Sequence, residues 1–261
     1  MHVLVAFDWH VIWLQIFHPN NVFARALWAT IYISIISQAA GVVLGLIAAL
    51  MRMSRIAPLR WLSGIYVWIF RGTPLLVQIF FIYTTFNLPI VHLGIWTIPS
   101  EALTGIVALS VNEGAYMREI VRAGIDSIDR GQMEAAKSIG MRYGLAMRRI
   151  VLPQAARVIV PPLGNEFNNM MKNTALVYTI GVYELFSDAN NSYSQALKSE
   201  YFIAVAFWYL VLTTVWTFIQ ALIERRLSRS ERGEPLSWRE LLALAWNPMN
   251  AWMRGPAWWR R

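Results

Sequence analysis

No Asp, Glu, Lys or Arg interrupts the chain between Ala26 and Met51, a run of 26 residues. At about 1.5 Å of rise per residue this makes roughly 39 Å of helix, enough to cross a bilayer core about 30 Å thick with some tilt. Composition extends the constraint to the whole 261-residue chain, which is 57% hydrophobic and 15% charged. A soluble domain averages about 45–50% apolar and about 25% charged, so too little polar surface remains to clothe a water-soluble globule of this size. Several spans of about 20 residues fit, and no large extramembrane domain fits beside them. The chain has no Cys, which removes a disulfide framework, a thiolate nucleophile and Cys-based metal sites.

The pattern predicts an all-α polytopic membrane protein with five spans. Span one covers the run from Ala26 to Met51. The stretch Gly72 to Ser100 is also free of formal charge, but Pro89 and Pro99 flank LPIVHLGIWTIP, which predicts a turn near residues 87–98 between span two, Trp61 to Phe86, and span three, Ile98 to about Arg122. Span four lies between Val158 and Phe186, and span five is Tyr201 to Ile223. Three Arg lie between spans one and two, eight Lys or Arg between three and four, and eight after five, leaving only Arg25, Arg71, Lys172 and Lys198 elsewhere. Basic residues accumulate in short cytoplasmic loops, so the N-terminus is expected outside and the C-terminus inside. The net charge of +8 then reads as topology, and nucleic-acid binding, which needs a basic stripe on one folded face, is not expected. No basic residue precedes Arg25, so a cleavable signal is not expected and span one is retained. The lead, residues 1–21, carries an expected outer interfacial helix over Phe7 to Phe17.

The densest pattern lies in the inner loop, residues 126–155. Asp129 is placed to cap GQMEAAKSIG, where Met133, Ala136, Lys137 and Gly140 recur at helical spacing and Glu134 sits near the positive end of the helix dipole. Gly140 permits a left-handed turn. A second short helix is expected over Gly144 to Leu152, with Arg148 and Arg149 toward headgroups and Pro153 as its stop. Two short helices presenting Ala135 and Ala136 suit a groove on another protein; on the residues alone, an amphipathic hairpin lying on the membrane fits equally well.

The spacing EAA, three residues, G, nine residues, I, one residue, LP is met at Glu134, Ala135, Ala136, Gly140, Ile150, Leu152 and Pro153. It resembles the cytoplasmic signature of permease subunits of bacterial ATP-binding-cassette importers. The strings RGTPLLVQIFFIY (71–83), NEGAYMREIVRAGI (112–125) and LPQAARVIVPPLGNEF (152–167) are similar to the polar amino-acid branch, and the resemblance covers roughly residues 20–228. It implies a five-helix core in the bacterial inner membrane, paired with a second permease copy or paralogue, two ATPase subunits that bind ATP and Mg, and an extracytoplasmic binding protein that delivers the amino acid. Glu134 to Gly140 would be the coupling helix, docked in a cleft of the ATPase.

Ionisable side chains inside spans are expensive and mark pathways or partner helices. In span four, Asn165, Asn168, Asn169 and Lys172 fall at i, i+3, i+4 and i+7, and Glu166, Asn169 and Asn173 repeat the spacing one step round. Lipid does not tolerate this face. It lines a pathway or an interface, with Asn165, Asn169, Lys172 and Asn173 as pathway candidates; as interhelical glue each Asn contributes about 0.6 kcal/mol. Glu113, about 15 residues or roughly 22 Å into span three, either accepts a substrate ammonium or pairs with Lys172, and pairing is the favoured reading. Glu119 with Arg118 and Arg122 forms an expected interfacial ion cluster. Arg71, Gly72 and Pro74 mark an expected kink or fresh start of span two, with Arg71 snorkelling or holding a carbonyl. Gly41 and Gly45 predict close helix packing. His2, His10, His18 and His92 lack metal spacing.

From residue 229 to 261 the chain departs from the resemblance. Trp238, Leu241, Leu242, Ala245 and Trp246 follow helical spacing and predict a cytoplasmic interfacial helix. No GxxxxGK[ST] occurs, so nucleotide hydrolysis is expected in a partner and no cofactor in this chain. The expected role is a non-catalytic transport subunit, with a permease for another small polar solute as the alternative. A self-sufficient ion-coupled carrier predicts clustered acidic residues in the spans and no docking knob. An intramembrane enzyme lacks paired His or Cys groups.

Overall fold

The computed structural model describes residues 8–94 and 96–232. The expected interfacial helix from Trp238 to Trp246 lies outside the described residues. The described residues begin with α1 (Trp9–Phe17), α2 (Asn21–Met53), α3 (Ala57–Gly72) and α4 (Leu75–Thr85). Strands β1 (Val91–Leu93) and β2 (Trp96–Ile98) follow, and then α5 (Ser100–Asp126), α6 (Arg130–Ser138), α7 (Tyr143–Ala146), α8 (Leu152–Asn173), α9 (Leu185–Ala196) and α10 (Glu200–Arg232).

Each expected span is helical, though not each is one helix. α2, of mean hydropathy 2.2, and Glu200–Glu224 of α10, at 2.0, are long and apolar enough to cross a membrane on composition alone. Exposed Ile35, Val43, Leu46 and Leu50 on α2 and Leu210, Val215, Phe218 and Leu222 on α10 supply the surface for lipid or another subunit. Span two is α3 and α4, bent by 108° at the break between them. α5 and α8 are less apolar; packing encloses α5, over half of which is buried, whereas α8 buries only Ala155, Gly164, Met170 and Met171.

The contact that encloses α5 depends on absent side chains. At Gly41 a Cβ would lie 2.6 Å from Glu113 Cγ, and at Gly45 it would strike Met117 Cβ and lie 2.9 Å from the Arg118 nitrogen. Gly114 reciprocates beneath Leu44 and Tyr66. Backbones therefore approach closely along α2 and α5, as small residues permit in membranes. Hydroxyls extend the contact to α3: Ser63 Oγ donates to Ala48 O at 2.7 Å and Tyr66 OH to Val111 O at 2.6 Å.

Between spans two and three the expected turn is a β-hairpin, with Val91 opposite Ile98 and His92 opposite Thr97. Gly94 supplies its positive φ of 62°, a conformation that costs glycine little. Span four also differs from expectation. α8 begins at Leu152, six residues before Val158, and stops at Asn173; Thr174–Ile180 tightens into a 3₁₀ segment, and Gly181 at φ 90° turns the chain toward α9.

The lead is helical from Trp9, capped by Asp8, and is tied to the α10 entrance. Lys198 Nζ donates to Asp8 Oδ2 at 2.6 Å, and the Asp8 amide donates to Glu200 Oε1 at 2.7 Å. Lys198 holds the Asp8 carboxyl below its ordinary 3.8, and Asp8 raises the Lys198 ammonium. A depressed carboxylate stabilises the fold above its unfolded value and loses that contribution as pH falls through its folded value. The tether thus holds at neutral pH and opens only on acidification past the ordinary carboxylate range. Hydrogen-exchange protection of residues 9–17 is expected to drop at pH 7 in Lys198→Met, and in the parent only in that acid range.

A branched side chain at Gly45 has no room. Gly45→Val is expected to lower stability by about 1–3 kcal/mol, read as an earlier thermal transition in detergent, while Gly64→Ala, where a Cβ meets nothing within 4 Å, does not.

Candidate functional site

The inner loop is built around α6. Asp129 caps it as expected, its carboxylate accepting from the Gly131 amide at 2.7 Å. Gly140 ends it at φ 84°, and the Met141 amide donates to Ala136 O at 3.0 Å. Glu134 and Ala135 are exposed, but Ala136 is buried, so the expected Ala135–Ala136 surface is corrected: successive helical residues point about 100° apart, and Ala136 faces inward. The outward apolar groups are Ile139, 78% exposed, with Tyr143 and Leu145.

Pro153 does not stop the second short helix. From α7 the chain passes through a π turn, Met147–Val151, directly into α8, with Pro153 in its first turn. Proline is tolerated there because first-turn amides need no intrahelical acceptor. Ile150 is half-buried, and Leu152 and Pro153 are exposed. Gln154 Nε2, 3.0 Å from Ile150 O, also reaches Gln132 Oε1 of α6 at 3.5 Å. The two ends of the loop signature therefore lie side by side.

The break at Arg71, Gly72 and Pro74 is real. Thr73 is extended at φ −117° and ψ 148°, as a residue before proline prefers. Carbonyls freed by the break need donors away from water. Gln78 Nε2 lies 2.9 Å from Phe70 O and 3.0 Å from Thr73 O, and Asn112 Nδ2 donates to Phe70 O at 3.0 Å and Gln78 Oε1 at 2.9 Å. The exposed Arg71 holds no carbonyl among the described residues; its guanidinium sits over the Tyr116 ring, 5.1 Å from the centroid.

Glu113 and Lys172 do not pair. Glu113 is buried against α2, where Gln38 Nε2 donates to its Oε1 at 3.0 Å. Gln38 Oε1 remains enclosed without a hydrogen-bond partner. Lys172 is exposed on α8, and the α8 charge that acts on Glu113 is Glu166. Asn165, Asn169 and Lys172 form an exposed polar stripe, with Asn173 half-buried beside it. Asn168 turns inward instead, its Oδ1 enclosed and unpartnered. α8 is fixed to α10: Trp216 Nε1 donates to Gly164 O at 2.8 Å, and Gln220 Nε2 to Pro161 O at 3.1 Å. The expected ion cluster is present, with Glu119 paired to Arg118 and Arg122, and Arg122 also bonded to Asp126 at 2.7 Å.

Glu184 was not among the expected site residues. It is fully buried at the N-cap of α9, accepting from the Ser187 amide at 2.8 Å and from Tyr209 OH at 2.8 Å, with Thr30 Oγ1 at 3.5 Å. One carboxylate thus joins α2, α9 and α10. The lone Glu in an apolar stretch, three residues before Ser187, was its sequence signal. Hydrogen bonds to charged groups contribute about 1.5–3 kcal/mol each, and Glu184→Ala strands several buried donors. It is expected to lose about 3 kcal/mol of stability or more, with Tyr209→Phe losing less, both read from thermal unfolding of the detergent-solubilised chain.

Comparison with known proteins matches residues 41–229 to the family described as binding-protein-dependent transport system inner membrane component. The chain is 39% identical over 233 residues to the arginine transport system permease protein ArgU of Corynebacterium glutamicum, covering 85% of this chain and 73% of that protein. It is 40% identical over 226 residues to the L-cystine transport system permease protein TcyB of Bacillus subtilis, covering 86% and 93%. The crystal structure of an amino acid ABC transporter with histidines superposes with a TM-score of 0.70 at 38% identity, covering 78% of this chain and 94% of that one.

Proposed function

The chain belongs to the binding-protein-dependent transport system inner membrane components, and on that premise we propose that residues 134–153 are its handle and the exposed α8 stripe its pathway lining. It is the membrane-spanning permease subunit of an ATP-driven amino-acid importer. The observation that carries the proposal is the exposure of Asn165, Asn169 and Lys172 on a 22-residue helix whose length, roughly 33 Å, suits a full crossing. Amides and an ammonium are costly against hydrocarbon, so this stripe faces water or a partner subunit.

A second permease copy or paralogue would close the stripe into a conduit. Lys172 would meet the substrate carboxylate, and Asn165, Asn169 and Asn173 would supply neutral donors and acceptors for a polar amino acid. Glu113, already held by Gln38, acts as a support for the lining from behind. Relatives are named for arginine and for L-cystine, so on this reading discrimination would lie in details of the lining and in an extracytoplasmic binding protein. That protein would deliver the solute on the side of the hairpin and α9, with the N-terminus outside and the basic loops in the cytoplasm.

At the other end, Glu134, Ala135 and Ile139 would seat in a cleft of an ATPase subunit, where ATP and Mg are bound. Closure of two such subunits would then move the loop and switch access from one side to the other. Two-state coupling of this sort amounts to about 5–150-fold. Charge reversal in Glu134→Lys, tested in the assembled complex, is expected to cut uptake at least about tenfold while insertion and basal hydrolysis persist. Undiminished uptake by that variant overturns the assignment of the handle.

A further inference from the structure

We propose that the groove between the arginine-bearing end of α2 and the outward face of α3 is a binding site for an anionic phospholipid. Its headgroup phosphate would sit on Arg52 and Arg60, and one acyl chain would lie along Trp61, Ile65 and Trp68. Two adjoining cavities, about 510 Å³ and about 630 Å³, share Arg52, Arg60 and Arg118. The first continues along α3 over an apolar wall, and the second opens on the ion cluster of Glu119, Arg122 and Asp126. Together they are polar at one end and apolar at the other, the shape of an amphiphile.

The charge there is unbalanced. Arg122 engages both Glu119 and Asp126, and Arg118, only 5% exposed, engages Glu119 and donates its Nε–H to Ser63 Oγ at 3.3 Å. Arg60 Nη1 donates only to the carbonyls of Ser54 and Arg55, at 3.2 and 2.8 Å. Among the described residues no carboxylate pairs with Arg52 or Arg60, so four guanidiniums share two carboxylates. Arg118 also feels the like charge of Arg52 and Arg122. An added phosphate monoanion relieves that repulsion, and a headgroup carrying its own ammonium does so less.

The apolar wall selects lipid over a soluble anion. Trp61 is 73% and Trp68 76% exposed, and Gly64 between them leaves a gap in which a Cβ would meet nothing within 4 Å. From Arg60 to Trp68 the wall runs about 12 Å along the helix, toward the middle of the membrane and beyond the reach of a soluble subunit. Basic pockets at the ends of membrane helices are suited to phospholipid headgroups, each cation adding about fivefold in affinity.

The test is native mass spectrometry of the full chain in detergent, offered phosphatidylglycerol and phosphatidylcholine at equal concentration. Preferential retention of phosphatidylglycerol is expected, weakened at least about tenfold in Arg52→Gln/Arg60→Gln. Arg55→Gln, in the turn between α2 and α3 but outside the groove, is expected to leave it unchanged. Trp61→Ala/Trp68→Ala, on an exposed face, is expected to weaken retention without touching a charge, which keeps the question open to decision if the arginine variant misfolds. Millimolar inorganic phosphate is expected not to displace the lipid. Equal retention of the two lipids, equal losses in the Arg55 and the Arg52/Arg60 variants, or displacement by phosphate would each overturn the proposal.

Discussion

The close approach of α2 to α5, made possible at Gly41, Gly45 and Gly114, is the constraint on which the rest depends. Glu113 lies within α5, where an ionised side chain facing lipid is costly. Glycines at the contact let α2 approach α5, so Gln38 meets Glu113 across it, while α3 brings Ser63 to Arg118. With α5 thus enclosed, its sequence is free to be less apolar than a lipid-facing span. The same contact fixes the platform against which α8 presents its polar stripe.

Two other devices manage polar backbone and charge inside the bundle. At the α3–α4 break, two amide side chains replace the donors that helix geometry no longer supplies, and the 108° bend is stabilised as a shape. At the α9 entrance, Glu184 accepts from backbone and hydroxyl donors of three elements. Each case puts a buried polar group in full use, which is the condition under which such groups rigidify a structure.

Legibility in the sequence followed the range of the determining interaction. Local signals were readable: the Asp129 cap, the left-handed Gly140, the Pro74 break and the Gly41–Gly45 pair each depend on a few neighbouring residues. The loop signature and three strings placed the family before any geometry. What escaped was set by tertiary contact. The Gln78–Asn112 capping joins residues 34 apart, though a glutamine inside LLVQIFF was a visible anomaly. The pairing of Glu113 with Lys172 failed because helical spacing gives a residue's face but not which neighbour covers it, and Gln38 does. The π turn before Pro153 has no compositional mark, so a proline read as a stop was in fact a start.

That uninterrupted passage from Tyr143 to Asn173 has a mechanical consequence. A hinge between the inner loop and α8 would absorb displacement locally, whereas a continuous rod transmits it. On the proposed function, a shift imposed on Leu145 or Ile150 would be carried along the helix as far as the Pro161–Pro162 interruption, and reach Asn169 and Lys172 through it. Pro161 and Pro162 interrupt the hydrogen-bond ladder one turn before the polar stripe, and there Gln220 and Trp216 tie the helix to α10. On the proposed function, a small stroke at the surface would thereby reorient the Asn165–Lys172 stripe.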